Sequence, residues 1–275
     1  MKQQLYFFLL YVTFSTLAQE PSKVISQKDF SIGKTIELFS SQLGEIRELN
    51  IYLPNNYHED SSKTYPVIYL LDGSRDEDFI HISGLVQFGS TAWVNMLPES
   101  IVVGIANVDR QRDFTYPTSV AEQQAKYPTT GNSEKFIQFI AKEVQPFIEA
   151  TFNTDDKKTI IGQSLGGLLA TEVLFKYPEL FDNYMIVSPS LWWDNESLLD
   201  YKLESDLSSK AIYVAVGAEG DVMERTAKEL FEKLKEGKSA SSRIYFDFLA
   251  DKNHGDALHQ AVYNAFEKLF MPDKQ

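Results

Sequence analysis

Two kinds of apolar patterning divide the chain. Residues 35–39 and 48–53 alternate apolar and polar positions on either side of Gly44. Period-two alternation marks strands with one solvated face, so the two segments predict an antiparallel hairpin. Beyond residue 65 the alternation stops. Residues 66–71, 101–106, 185–187 and 211–216 are continuous apolar runs, the pattern of strands buried on both faces of a parallel sheet. A last strand is expected at 244–249. Between these runs lie helical periods. Phe136, Ile137, Phe139, Ile140, Val144, Phe147 and Ile148 follow Ser133 at helical spacing, and Pro146 predicts a kink or break there. Residues 222–235 read as an amphipathic helix closed by Gly237. Residues 257–270 form another, with Leu258, Val262, Ala265, Phe266 and Leu269 on its apolar face. Strand–helix alternation after a hairpin predicts an α/β sandwich: a mostly parallel central sheet with helices on both faces. No internal repeat, low-complexity tract or long linker interrupts it, so residues 19–275 are expected to be one domain.

The first residues belong to a different pattern. Lys2 precedes an apolar run over 5–17 that ends in Thr16-Leu17-Ala18, with small residues at the two positions a signal peptidase inspects. The run is too short to span a bilayer and is followed by polar Gln19-Glu20. Residues 1–18 therefore read as a cleaved secretory signal, and the mature protein as periplasmic or secreted without membrane insertion. Cysteine is absent, which excludes disulfides, thiolate metal sites and a lipidated cysteine. The net charge of −13, with Lys and Arg scattered, argues against nucleic-acid and anionic-membrane partners.

The densest chemical signal lies at 159–170. A short apolar strand runs into Gly162-Gln163-Ser164-Leu165-Gly166 and directly out into an apolar helical pattern. This is the context of a nucleophile elbow, a serine on a strand-to-helix turn too tight for side chains at Gly162 and Gly166. The turn exposes the Ser164 hydroxyl and aims the unpaired N–H groups of the helix start at a developing oxyanion.

A serine hydroxyl needs a base. The chain has four histidines, and with this elbow the order is serine, acid, histidine. His58 and His81 precede Ser164. His259 lies inside the last helical pattern as a surface or packing residue, and His58 reads as a solvated turn residue. His254, in the loop after the last strand, is the expected base. The acid should follow the 211–216 strand, where Glu219, nearest the strand end, is preferred and Asp221 is the alternative. Either could hold the imidazole tautomer. Either could instead cap the helix that follows, Asp221 being better placed for capping. The backbone N–H groups of Leu165 and Ser74 are the expected oxyanion donors. Arg75, Trp192 and Trp193 are assigned to substrate binding, with Phe114 and Tyr116 as further aromatic candidates for a platform or pocket wall. Arg110, Arg112 and Asp113 are expected to form a structural ion-pair network near the site, with no role in the chemistry. No paired-histidine spacing suggests a metal, and no cofactor is implied.

Five separated segments carry a wider likeness: residues 65–73, 104–114, 162–167, 188–193 and 253–255. Together they resemble the esterase-D-like family of α/β-hydrolases, and within it the branch of periplasmic siderophore esterases. Feruloyl and acetyl esterases and mycolyltransferases are more distant members. The resemblance covers the chain from about Lys34 onward. It implies an α/β-hydrolase fold, Ser164 as nucleophile, His254 as base and the backbone at Ser74 and Leu165 as oxyanion hole. Gln163 stands where many members carry histidine, which implies a change in elbow packing rather than in chemistry. The acid position varies in the family, and a serine–histidine pair alone is compatible with the siderophore branch. A basic cluster suited to a ferric catecholate is not evident. The expected function is that of an exported serine hydrolase cleaving small-molecule carboxylic esters through an acyl-enzyme. The alternatives are an acyltransferase on the same triad and a silent ligand-binding homologue; the oligomeric state is left open.

The leader reading has a direct consequence. N-terminal sequencing of the protein recovered from its own host is expected to begin at Gln19, and an intact Met1 in the soluble cytosol would contradict it.

Overall fold

The computed structural model describes residues 22–271, apart from 56, 60, 203–206 and 237–242. The leader at 1–18 and the closing Gly237 lie outside the described residues. A first unit ends at Ser31, and its described part, 22–31, has no regular secondary structure. The second unit, from Ile32 onward, holds the sheet and its helices.

Eight strands form that sheet: β1 Lys34–Ser40, β2 Glu45–Tyr52, β3 Tyr65–Leu70, β4 Ile101–Ile105, β5 Thr154–Gln163, β6 Asn183–Val187, β7 Ala211–Gly217 and β8 Arg243–Leu249. Their spatial order is β1-β2-β4-β3-β5-β6-β7-β8. β1 and β2 pair antiparallel, with Phe39 opposite Ile46, around a turn in which Gly44 takes φ +72°. β2 joins β4 antiparallel, and all later pairings are parallel. The helices are α1 Phe79–Gly89, α2 Arg110–Phe114, α3 Ala121–Lys126, α4 Ser133–Phe139, α5 Gln145–Thr151, α6 Leu165–Lys176, α7 Asp221–Glu236 and α8 Ala257–Phe270.

Continuous apolar strands supply two cores at once, because successive side chains face opposite ways. Tyr69, Ile160, Tyr184, Ile186 and Val214 pack on one face with Phe136, Leu168, Val173 and Leu230. Ile68, Ile161, Met185 and Tyr213 pack on the other with Ile82, Val86, Val262 and Phe266. The mostly parallel sandwich expected from the patterning is thus present: an α/β-hydrolase fold.

Pro146 does not break its segment. Between α4 and α5 the chain makes one wider turn, Ile140–Val144, closed by a bond from the Gln145 N–H to the Ile140 carbonyl. That turn places Pro146 in the first turn of α5, where its missing N–H and its ring are tolerated.

The arginines divide differently from expectation. Arg112 and Asp113 belong to one buried group: Arg47 and Asp113 are both fully buried and meet at 2.6 Å, while Arg112 bridges Asp113 and Glu45. Arg47 also donates to the Ala106 carbonyl and lies over the Phe136 ring. Both Nη atoms of Arg47 are thus hydrogen-bonded, as a buried charge requires, while its Nε has no partner among the described residues. Arg110 is not in that group. It turns instead toward the edge of the sheet where the strand ends converge.

Candidate active site

At that edge β5 passes into α6 through Ser164, whose backbone sits at φ 60°, ψ −121°. This is a conformation that non-glycine residues adopt only when the surroundings enforce it. The enforcement is visible. The Ser164 N–H bonds the Val187 carbonyl at 3.1 Å, and its carbonyl receives the N–H groups of Leu168 and Ser190. A Cβ on Gly162 would stand 2.3 Å from the Gly166 carbonyl oxygen, and one on Gly167 would stand 3.0 Å from Pro189 Cα. A Cβ on Gly166 would also be crowded, meeting Asp72 Oδ2 at 3.3 Å, so Gly167 adds a further tight position to the expected pair. The result is a serine raised from the strand end, with the Leu165 N–H beginning α6 beside it.

His254 and Glu219 come together as expected. His254 Nδ1 lies 2.5 Å from Glu219 Oε2. The other carboxylate oxygen, Oε1, accepts the Ser188 hydroxyl at 2.5 Å and the Gly217 N–H at 2.9 Å. The Glu219 side chain is 3% exposed, whereas that of His254 is 49% exposed. Burial acts to raise the glutamate's pKa. The hydrogen bonds from His254, Ser188 and Gly217 outweigh it, so the carboxyl lies below its ordinary range and is held as an anion.

The two acid candidates are thereby separated. Asp221 is exposed at the first turn of α7. It is not the cap: the Glu224 carboxylate accepts the N–H groups of Glu219 and Gly220 at 3.0 and 2.9 Å. The capping carboxylate four residues beyond Gly220 fastens the loop that carries Glu219.

Among the described residues, Ser164 Oγ hydrogen-bonds Ser190 Oγ at 3.3 Å, and no hydrogen bond joins it to His254. Resting sites often show such loose geometry before substrate arrives. Ser164, Leu165 and Ser190 line a cavity of about 190 Å³ whose walls include Tyr127, Trp192, Trp193 and Arg110. Trp193 is anchored by its indole N–H on the Tyr116 carbonyl. Phe114 and Tyr116 lie in the core and form no platform. Arg75 is exposed and stands outside this lining. Ser74, exposed only in part, likewise lies outside the lining and follows Gly73, whose N–H bonds the Ile105 carbonyl.

Arg110, read from sequence as structural, is the cation at this edge. It grips Asp72 through two bonds, of 2.5 and 2.9 Å, and donates to the Gln163 carbonyl. Tyr127 and Ser190 complete the lining; Ser190 lies in the 188–193 segment, while nothing in the local pattern marks Tyr127. The remaining histidines fall elsewhere: His58 is exposed, and His259 on α8 packs edge-on against His81 on α1 at 5.0 Å between ring centroids. Among the described residues no cluster of three or more His, Cys, Asp or Glu side chains is arranged to hold a metal ion. No described helix is long and apolar enough to cross a membrane.

A serine elbow at the carboxyl edge of this sheet, with a histidine–glutamate pair beside it, defines the class as an α/β-hydrolase. The chain belongs to the esterase family described as "Putative esterase", whose model matches residues 40–275. It is 27% identical over 264 residues to the ferri-bacillibactin esterase BesA of Bacillus subtilis (strain 168), covering 88% of this chain and 91% of that one. A 90-residue stretch, 32% of this chain and 30% of the other, is 36% identical to the siderophore enterobactin esterase of Emericella nidulans. An IroE-like serine hydrolase from Shewanella oneidensis is similar in structure, with TM-score 0.79 and 29% identity over 86% of this chain and 80% of that chain. The BES protein from Bacillus cereus gives 0.77 and 26%, over 92% and 100%. The resemblance to the siderophore-esterase branch holds, and the family supports an ester-hydrolysing enzyme.

One acid near this edge is poised to titrate. Burial, followed by the charges of Asp72 and Glu77, pushes Asp78 up to about 6 from an ordinary 3.8, against the pull of Arg110. A carboxyl raised on folding favours the native state while protonated, and that contribution is lost as pH rises through the folded pKa. Asp78→Asn is therefore expected to raise Tm at pH 7–8, with the gain fading below about pH 6 and absent near pH 4. A Tm difference that is the same at pH 4 and pH 8 would contradict this.

Proposed function

We propose that the protein is a serine esterase working through an acyl-enzyme on Ser164, with His254 as base and Glu219 as the acid behind it. The observation that carries the reading is the Glu219–His254 pair at 2.5 Å beside a serine held at φ 60°. With Nδ1 bound to the carboxylate, His254 presents Nε2 as the free acceptor. Substrate entry turns the Ser164 hydroxyl from Ser190 to that nitrogen. His254 takes the proton as Oγ attacks the ester carbonyl carbon, and the oxyanion that forms is met by the N–H groups of Leu165 and Ser74. Collapse breaks the bond to the alcohol oxygen, which leaves with the proton from His254. Water then attacks the acyl-enzyme with His254 again as base, and the acid departs. Glu219, anionic throughout, orients the ring and stabilises the imidazolium.

Two features favour hydrolysis over acyl transfer and bear on the substrate. Half of the His254 side chain is open to solvent, so water reaches the base without displacement. The cavity of about 190 Å³ is below the roughly 300–1,000 Å³ of sites that enclose a drug-sized ligand. It takes one arm of an ester against Trp192, Trp193 and Tyr127 and leaves the remainder outside. Siderophore esters, named for the relatives, are the class to test first. Export rests on the leader pattern of residues 1–18.

Ser164→Ala is expected to lower kcat by roughly 10⁴–10⁶-fold, and His254→Ala by a comparable factor because the two act as a unit. Glu219→Gln is expected to lower it by about 10²–10⁴-fold, and Asp221→Asn to leave it near wild type. Turnover retained in Ser164→Ala refutes the esterase reading, and a wild-type rate in Glu219→Gln removes the acid from it.

A further inference from the structure

We infer that Gln163 is a positioning residue for the base, its side-chain amide fixing the His254 backbone against the nucleophile strand. The inference rests on the proposed role of His254 and adds what sets the distance between base and nucleophile. Gln163 is the last residue of β5 and the immediate neighbour of Ser164. Its Nε2 donates to the His254 carbonyl at 2.6 Å. Its own carbonyl receives Arg110, which is in turn held by Asp72. The residue is thus gripped at its backbone and grips the base loop with its side chain.

The tethers of that loop show why this bond matters. Lys252 accepts the Ala218 N–H at 2.7 Å, and His254 Nδ1 meets Glu219. Both tie the loop to the chain following β7. Asn253 and Asp256 bond within the loop itself, to the Gly255 and Asn253 N–H groups. Among the described residues, the Gln163 amide makes the hydrogen bond that crosses from the loop to β5. The imidazole is half exposed, and the side chain that holds it, Glu219, belongs to the same side of the site. Without the crossing bond, Glu219 still orients the ring, but the His254 Cα is free to drift from Ser164. A misplacement of about 1 Å between reacting groups costs as much as 10²-fold in rate.

A surface hydrogen bond that serves only stability would move Tm and leave the chemistry alone, so the test reads chemistry. Hydrolysis of p-nitrophenyl acetate, the pH profile of kcat/KM and Tm are measured for Gln163→Leu, Gln163→Glu and Gln163→His, beside Ser164→Ala and His254→Ala. Leu and Glu remove the donor, Glu at nearly unchanged size; a histidine ring N–H restores one. Gln163→Leu and Gln163→Glu are expected to lose about 10–100-fold in kcat with KM within about twofold. The shape of their pH profile is expected to match wild type, because Glu219 still orients the ring without the crossing bond. Gln163→His is expected to recover most of the rate. If Ser164→Ala and His254→Ala remain active, the reading of the site itself fails. If both are inactive while Gln163→Glu turns over like wild type, the positioning role alone is overturned. Equal loss in all three Gln163 variants, the histidine variant included, would also overturn it by assigning the residue to packing.

Discussion

A Cβ on Gly162 would stand 2.3 Å from the carbonyl oxygen of Gly166, and that lack of room governs how β5 turns into α6. Only a residue without a side chain lets the first turn of the helix close back on the strand end, and only then does Ser164 take φ 60°. The strain is absorbed by the sheet. β6 accepts the Ser164 N–H through Val187, and the Ser190 N–H returns to the Ser164 carbonyl. Gly167 packs against Pro189 at the limit of contact, so the loop after β6 is placed by the same helix that raises the serine. The cavity wall at Ser190, Trp192 and Trp193 follows from this contact.

The remaining loops arrive because the strands that carry them are parallel and in register. β7 delivers Glu219 and β8 delivers the loop of His254, with Gly217 opposite Leu249 at the end of their ladder. Gly217 has its own steric reason: a Cβ there would meet the Lys252 carbonyl at 2.7 Å. Glycine at 217 lets the two loops touch, and Glu219 is then buried against donors that keep it ionised. The Ser188 hydroxyl and the Gly217 N–H occupy one oxygen and leave the other for His254. On the opposite side, the Asp72–Arg110 pair joins the loops after β3 and β4 and reaches the Gln163 carbonyl. The serine is thus framed by the His254–Glu219 pair and the Asp72–Arg110 pair, each tied to a different half of the sheet.

Much of this was legible from residues alone because it depends on local pattern. The hairpin follows from alternation about Gly44, the buried strands from continuous apolar runs, and the elbow from glycine spacing between strand and helix. Chain order and strand ends point to Ser164 and His254 and narrow the proposed acid to Glu219 and Asp221 without settling between them. What escaped depends on three-dimensional company. Pro146 reads as a breaker until a wider turn before it is seen. Asp221 reads as a cap until Glu224 is found on the Glu219 and Gly220 N–H groups, a four-residue spacing present in the sequence but left unused. Arg75 and Arg110 are alike as arginines near strand ends, and only the fold shows that Arg110 lines the cavity while Arg75 stands outside it. Tyr127 reaches the cavity from a stretch whose pattern carries no signal.

The central claim is a covalent one, that Ser164 carries the acyl group between two halves of the reaction. It is tested most directly by mixing the protein with an excess of an activated ester, whose good leaving group favours acylation over deacylation, and quenching within the first turnovers for intact mass and peptide mapping. The expected result is one acyl group on the peptide bearing Ser164, lost again once the ester is exhausted and absent in Ser164→Ala. Steady turnover of the same ester with no acyl group on Ser164, or with the group on another residue, would contradict it.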